Sequence, residues 1–198
     1  MSKNILYSFR RCPYAIRARL ILYLCEIDYQ LIEVDLKNKP QDMLEYSSKG
    51  TVPVFVVGDR VIDESLDIID YALSIRYPKG WQVLTDEQNR LGEELITKLG
   101  TQFIPSLNRY KYADRYDDVN RDVERERIRD FAKLLDGTIE YGLVSETDSY
   151  VDVVILPLVR QAYVADPQLF DGFPKLMSWL ERHLASDALK EVMSKELR

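Results

Sequence analysis

Histidine and cysteine are the scarce residues of this chain. Of its 198 residues, one is histidine, His183, and two are cysteines, Cys12 and Cys25. A single histidine excludes a His-rich metal site and leaves no Cys–His catalytic pair readable locally, so no metal is expected. His183 lies in Leu180-Glu181-Arg182-His183-Leu184 and reads as a surface residue or one in a helix's last turn. Two cysteines make no disulfide framework. If both lie near one helix, a rise of about 1.5 Å per residue sets them roughly 20 Å apart, beyond bridging. Long apolar runs are missing as well; none approaches the ~20 residues of a membrane span. Positive charge is in deficit, with 27 Lys and Arg against 33 Asp and Glu and a net charge of −6. That balance repels phosphate backbones and anionic lipid, and no basic tail offsets it, so neither nucleic acid nor a membrane is an expected partner. Met1-Ser2-Lys3-Asn4 leads straight into an apolar run without the regions of a signal peptide, and a cytoplasmic protein is the expectation.

What is present falls into two patterns, and a hydrophobic share of 46% is enough for a proper core. Residues 1–79 alternate strand-like and helix-like segments. Ile5-Leu6-Tyr7-Ser8-Phe9 reads as a strand. Cys12-Pro13 opens a helix, because proline at the first helical position has its φ already set and needs no donor. Ile16, Leu20, Leu24 and Ile27 continue it at helical spacing. Gln30 to Leu36 alternates like a half-buried strand. A loosely structured stretch follows. Val54–Val57 and Arg60–Ile62 flank Gly58-Asp59, a two-residue hairpin signal. Ser65 is placed to cap a helix running from Leu66 to Tyr77. The order β-α-β-β-β-α, with the last strands as a hairpin, predicts a mixed four-stranded sheet of the thioredoxin-like kind.

Residues 80–84 read as a linker, and 85–198 read as helical throughout. Thr85-Asp86-Glu87-Gln88 is a capping box before a long helix. Pro105 is expected to bend or end that helix. Asn120 to Leu143 predicts a second long helix. Ser149-Tyr150-Val151-Asp152 is another capping signature, ahead of Val153–Ala162, which is apolar nearly all round and reads as the buried central helix. Pro174 starts a helix through Leu184, and Ala188–Glu196 reads as the last one.

The chemistry concentrates in Arg10-Arg11-Cys12-Pro13-Tyr14-Ala15. Cys12 follows a strand and sits at a helix N-terminus, where free N–H groups and the helix dipole favour an anion. Arg10 and Arg11 add positive charge. Together these favour the thiolate, which is the nucleophilic form. Cys25, among Ile21, Leu22 and Leu24, reads as a packing residue. Residue 15 is alanine where a dithiol site would carry its second cysteine. A mixed disulfide on Cys12 then has no internal thiol to resolve it. An external one is required, which points to glutathione as co-substrate.

Cys12-Pro13-Tyr14-Ala15, Leu36-Lys37-Asn38-Lys39-Pro40, Thr51-Val52-Pro53-Val54 and Asp63-Glu64-Ser65 occur in that order at suitable spacing. Together they resemble the glutathione-binding half of cysteine-type glutathione transferases, closest to the omega class, with dehydroascorbate reductases and glutaredoxin-like transferases as neighbours. The resemblance implies an α/β N-terminal thioredoxin-like domain followed by an all-α C-terminal domain, the glutathione-transferase architecture. It implies that Pro53 is preceded by a cis bond and that Val52 offers its backbone to the cysteinyl part of glutathione. It implies that Ser65 and the helix N–H groups take the γ-glutamyl carboxylate, that Glu64 holds the amino group, and that Lys39 pairs with the glycyl carboxylate. Tyr14 would line the sulfur's surroundings, and Tyr110, Lys111, Tyr112 and Tyr116 stand either beside a second-substrate pocket or in plain packing of the kinked helix end. The implied activity is glutathione-dependent reduction of small-molecule or protein mixed disulfides, or of dehydroascorbate, through Cys12 alone. A homodimer is among the arrangements such relatives adopt.

Two other readings stay open at this stage. A hydroxyl at Tyr7 or Ser8 could activate glutathione for attack on an electrophile, making a conjugating transferase. The fold could also serve a non-catalytic binding or regulatory protein. Tyr7 reads as a strand packing residue, and Cys12, Pro53, Glu64 and Ser65 occurring together argue against loss of catalysis.

Overall fold

The computed structural model describes residues 4–194. The chain forms two compact units, one comprising the stretch up to Gly80 together with the segment from Ala185, the other Trp81–Leu184.

In the first unit, β1 (Ile5–Ser8), β2 (Gln30–Glu33), β3 (Val54–Val57) and β4 (Arg60–Ile62) make one sheet in the order β2-β1-β3-β4. β1 and β2 run parallel, and the other pairs are antiparallel. The β3–β4 hairpin closes with Val57 opposite Arg60, and Gly58 takes a φ of +57°, which a side chain would disfavour. α1 (Pro13–Leu24) and α3 (Ser65–Ile75) pack together, and Phe55 meets Tyr71 of α3 with ring centroids 5.8 Å apart. The opposite face of the sheet carries Tyr7, Val54 and Val56, packed with Val34 and with Met43 from a short helix, α2 (Gln41–Tyr46). Strand alternation separates the two sets: Leu6 and Phe55 point one way, Tyr7 and Val54 the other. Burying a side chain such as the fully enclosed Phe55 contributes about 2–3 kcal/mol.

The sheet and its hairpin match the sequence reading; several boundaries differ. β2 stops at Glu33 rather than Leu36, because the chain turns: Lys37 N–H donates to the Asp35 carboxylate and Asn38 N–H to the Asp35 carbonyl. The stretch expected to be loose contains α2, whose six residues bury one side chain, Met43, too few to show a period. α3 runs Ser65–Ile75 with Glu64, not Ser65, in the capping position, and Glu64 makes no side-chain cap bond.

In the second unit, α4 (Asp86–Lys98) begins with the expected capping box, with bonds of 2.9 and 3.2 Å between Thr85 and Gln88. Pro105 does not end the helical path. A π-helical turn, Leu99–Phe103, widens the spiral just before it, and α5 (Ile104–Lys111) continues with Pro105 in its first turn, where the missing N–H costs least. α6 (Arg121–Thr138) ends short of Leu143, since Ile139 is already extended. α7 (Tyr150–Ala165) is the buried helix, enclosed from Val151 through Val159. α8 (Pro174–Ala185) follows.

The last helix, α9 (Asp187–Met193), packs on α1 of the first unit. The second compact unit therefore closes at Leu184, where sequence periodicity gave a helical stretch running to 198. Periodicity reports that a helix is amphipathic, not which surface it covers. The expected extension of this helix to Glu196 lies partly outside the described residues.

His183 is in the last turn of α8, as expected, but it is buried rather than at the surface. Its Nε2 lies 3.4 Å from Asp148, and its ring meets Trp179 edge-on at 4.9 Å. Asp148 also takes two bonds from Arg182, at 2.8 and 2.9 Å. Burial pushes Asp148 up, but His183 and Arg182 outweigh it and hold the carboxyl at about 2. A carboxyl depressed in the folded state stabilises the fold above its ordinary value and loses that contribution as pH falls toward the folded one. Urea unfolding is therefore expected to show about 2 kcal/mol of stability disappearing between pH 4 and 2, a loss absent from Asp148→Asn.

Candidate functional site

Cys12 occupies the N-cap of α1, directly before Pro13, with extended backbone. Its own N–H is bonded to the Phe9 carbonyl at 2.9 Å and its carbonyl receives Ile16 N–H at 2.9 Å, so the backbone of the β1–α1 turn is fixed and the thiol projects at the helix's positive end. The thiol is partly exposed and donates to the Val52 carbonyl at 3.8 Å. The Val52–Pro53 bond is cis, as expected. Cys25 is free and fully buried, and burial pushes its thiol up to about 11, leaving it inert at neutral pH.

The remaining residues fall into place unevenly. Tyr14 is in the first turn of α1, its ring under the Arg17 guanidinium at 5.0 Å. Ser65 is the first residue of α3 and is buried, with its hydroxyl 3.5 Å from Arg17 Nη1. Glu64 is exposed at the head of the same helix and accepts from Lys49 at 2.7 Å. Lys39 is exposed, its ammonium on the side of Gly50 where a Cβ would lie 3.5 Å away. Cys12 and Val52 are thus in direct contact, Tyr14 and Ser65 are joined through Arg17, and no described contact ties Lys39 to the others.

Arg17 is the residue that sequence reasoning missed. Arg10 and Arg11 were the expected cations. Arg10 is engaged through its backbone, its N–H bonding Glu33 and its carbonyl receiving Arg19, while Arg11 lies exposed over Phe9. Arg17 and Arg19, both buried on α1, have a favourable Coulomb interaction with Cys12. Burial lowers Arg17 to about 10, with Tyr14 and Cys12 partly restoring it, so it remains cationic at neutral pH. The signal was available: two arginines stand within the run Ala15–Leu22, otherwise apolar, and long charged side chains in such a run need an anionic or polar partner.

Tyr7 and Ser8 are both fully buried. The Tyr7 hydroxyl donates to Asp42 at 2.6 Å, and burial followed by that bond pushes the phenol well above its usual range. Ser8 Oγ has no hydrogen-bond partner among the described residues. In the second unit, Tyr110 is buried and donates to Asp166 at 2.6 Å, whereas Tyr112 and Tyr116 are partly exposed and covered by Arg115 and Arg109 at 4.4 and 5.1 Å. Within that cluster Tyr110 is packing, while Tyr112 and Tyr116 are at the surface.

Among the described residues, no helix is long and apolar enough to cross a membrane. The family model of the glutathione S-transferase N-terminal domain matches residues 6–80. An omega-1 glutathione S-transferase from Sus scrofa is 26% identical over 190 residues, covering 92% of this chain and 77% of its own. Among solved structures, glutathione transferase Omega 3C from Trametes versicolor superposes with a TM-score of 0.81 at 18% identity, covering 100% of this chain and 87% of its own. A glutathione transferase from Pseudomonas putida, solved with one glutathione disulfide bound per subunit, gives 0.81 at 17% identity over 98% of this chain and 91% of its own. Residues 6–80 therefore match the glutathione S-transferase N-terminal domain, in a chain that has the glutathione-transferase fold and is similar over most of its length to an omega-1 glutathione S-transferase.

Proposed function

We propose that this chain is a cytoplasmic glutathione transferase acting as a monothiol disulfide reductase, with Cys12 as its nucleophile. The observation that carries this is the Cys12 thiol: partly exposed at the N-cap of α1 and 3.8 Å from the Val52 carbonyl. In this reading glutathione lies extended along the Val52 backbone as an added strand would. Ser65 and the α3 N-terminus take its γ-glutamyl carboxylate, Glu64 its ammonium, Lys39 its glycyl carboxylate, and Tyr14 flanks the sulfur.

The cycle has two exchanges. The Cys12 thiolate attacks the glutathionyl sulfur of a mixed disulfide; a Cys12–glutathione disulfide forms, the substrate's S–S bond breaks, and the substrate sulfur leaves as thiolate and takes up a proton. The thiolate of a glutathione then attacks the glutathionyl sulfur on Cys12, forming glutathione disulfide and returning Cys12 as thiolate. Residue 15 is alanine, so the second step has no intramolecular competitor. Conjugation through Tyr7 is disfavoured because its hydroxyl is committed to Asp42.

Two half-reactions sharing one covalent enzyme form predict ping-pong kinetics. Initial rates with a glutathionylated peptide, varied against glutathione, are expected to give parallel double-reciprocal lines. Intersecting lines would mean that both substrates must bind before any bond breaks, and the covalent scheme would fall.

A further inference from the structure

Glu64, the carboxylate that the proposed function assigns to the substrate's ammonium, already holds an ammonium. Lys49 Nζ lies 2.7 Å from Glu64 Oε1 and 3.0 Å from Asp63 Oδ1. Lys49 belongs to the segment that leads through Gly50 to Val52, so one short stretch of chain carries both this cation and the backbone beside Cys12. Asp63 anchors it: its second oxygen receives the Ser47 hydroxyl at 2.6 Å. The Ser47 and Lys49 bonds together keep Asp63 ionised below its usual range. Glu64, by contrast, is well exposed and makes no cap bond to α3, so Lys49 is its only described ion-pair partner. The geometry is that of one ammonium shared between an anchored carboxylate and an exposed one.

We propose that Lys49 is a built-in stand-in for the γ-glutamyl ammonium of glutathione, occupying Glu64 in the free protein and withdrawing onto Asp63 when glutathione arrives. This rests on the reading of Glu64 given above. The exchange replaces one exposed ion pair by another, and exposed pairs are weak, so the stand-in yields easily to the right ligand. A ligand that lacks the ammonium has nothing to offer Glu64 and leaves the Lys49–Glu64 pair closed. Lys49 thus tunes affinity downward for glutathione itself and makes the amino group, not the carboxylates alone, what opens the site.

Calorimetric titration in the Cys12→Ser background, where the sulfur cannot exchange, tests this with two probes: glutathione and its deaminated analogue, glutaryl-cysteinylglycine. Lys49→Met is expected to tighten glutathione about three-fold and not to tighten the analogue. Lys49→Gln must show the same sign, and unchanged thermal midpoints confirm that both remain folded. Weaker glutathione binding, or no change, would overturn the proposal, since a lysine that pairs with a substrate carboxylate gives the opposite sign. Glu64→Gln separates the two layers. If it weakens glutathione and spares the analogue while Lys49→Met does not tighten, the stand-in alone is wrong. If Glu64→Gln leaves glutathione unaffected, the assignment of Glu64 is wrong and the stand-in falls with it.

Discussion

Replacing Cys12 by serine is expected to lower turnover of a glutathionyl disulfide at least about a thousand-fold while the variant still binds glutathione. The size follows from the chemistry. A serine hydroxyl is scarcely ionised at neutral pH and does not displace sulfur from sulfur, so no covalent intermediate forms and the whole scheme is lost rather than slowed. Cys25 cannot take over, being fully buried with its thiol pushed up to about 11. Binding survives because the groups assigned to the tripeptide lie elsewhere: Val52 before β3, Glu64 and Ser65 at the head of α3, Lys39 after the Asp35 turn. Retention on immobilised glutathione together with the loss of turnover is the expected pair of results. A Cys12→Ser protein that conjugates an electrophile at the wild-type rate would instead move the chemistry to another group.

Asp152→Ala is expected to destabilise the protein by about 3–5 kcal/mol, the largest effect on folding anticipated from any single side chain discussed above. Asp152 is 1% exposed, and its carboxylate accepts four hydrogen bonds. Oδ1 receives Leu143 N–H at 3.0 Å and Trp179 Nε1–H at 2.8 Å; Oδ2 receives Ser149 N–H at 2.8 Å and the Ser149 hydroxyl at 2.9 Å. One carboxylate thus joins the loop after α6, the start of α7 and the indole of α8. Alanine removes the acceptor and leaves several donors buried without one, each costing about 1–3 kcal/mol less what the loop recovers by shifting. Against a total of roughly 5–15 kcal/mol, such a loss leaves a large unfolded fraction. Asp152→Asn keeps the shape but turns one acceptor edge into a donor, facing either the Ser149 N–H or the Trp179 indole. It is expected to lie between wild type and alanine in urea midpoint. A midpoint for Asp152→Ala within experimental error of wild type would remove this residue from its central place.

Much of the fold is readable from local chemistry. Pro13 at the start of α1, Gly58-Asp59 between two β-branched runs, and the Thr85 and Ser149 boxes are short-range signals, and each matches its element because its reason is local. The differences come where tertiary contacts decide. α2 is held by Met43 under the sheet and by the Tyr7 hydroxyl on Asp42. The π turn before Pro105 keeps the spiral going past a residue that local rules allow to end it. α9 covers α1, a choice of partner that periodicity cannot express. The same division runs through the candidate site. Cys12 was legible from its position between strand and proline. That Arg17 needs a polar partner was legible in the run Ala15–Leu22; its place between Tyr14 and Ser65 was not, because it depends on α3 packing against α1. Lys49 was illegible for the same reason: in sequence it is a loop lysine, and its two carboxylates come from beyond the β3–β4 hairpin.

The central claim is that Cys12 forms a covalent bond to glutathione and gives it up again to a second glutathione. Intact-mass and peptide mass spectrometry of the full chain, exposed to glutathione disulfide and then to reduced glutathione, tests it most directly. The account predicts one glutathionyl group, on the peptide carrying Cys12, with none on Cys25, and its complete removal by reduced glutathione with release of glutathione disulfide. No adduct on Cys12, or an adduct that reduced glutathione does not remove, would contradict it.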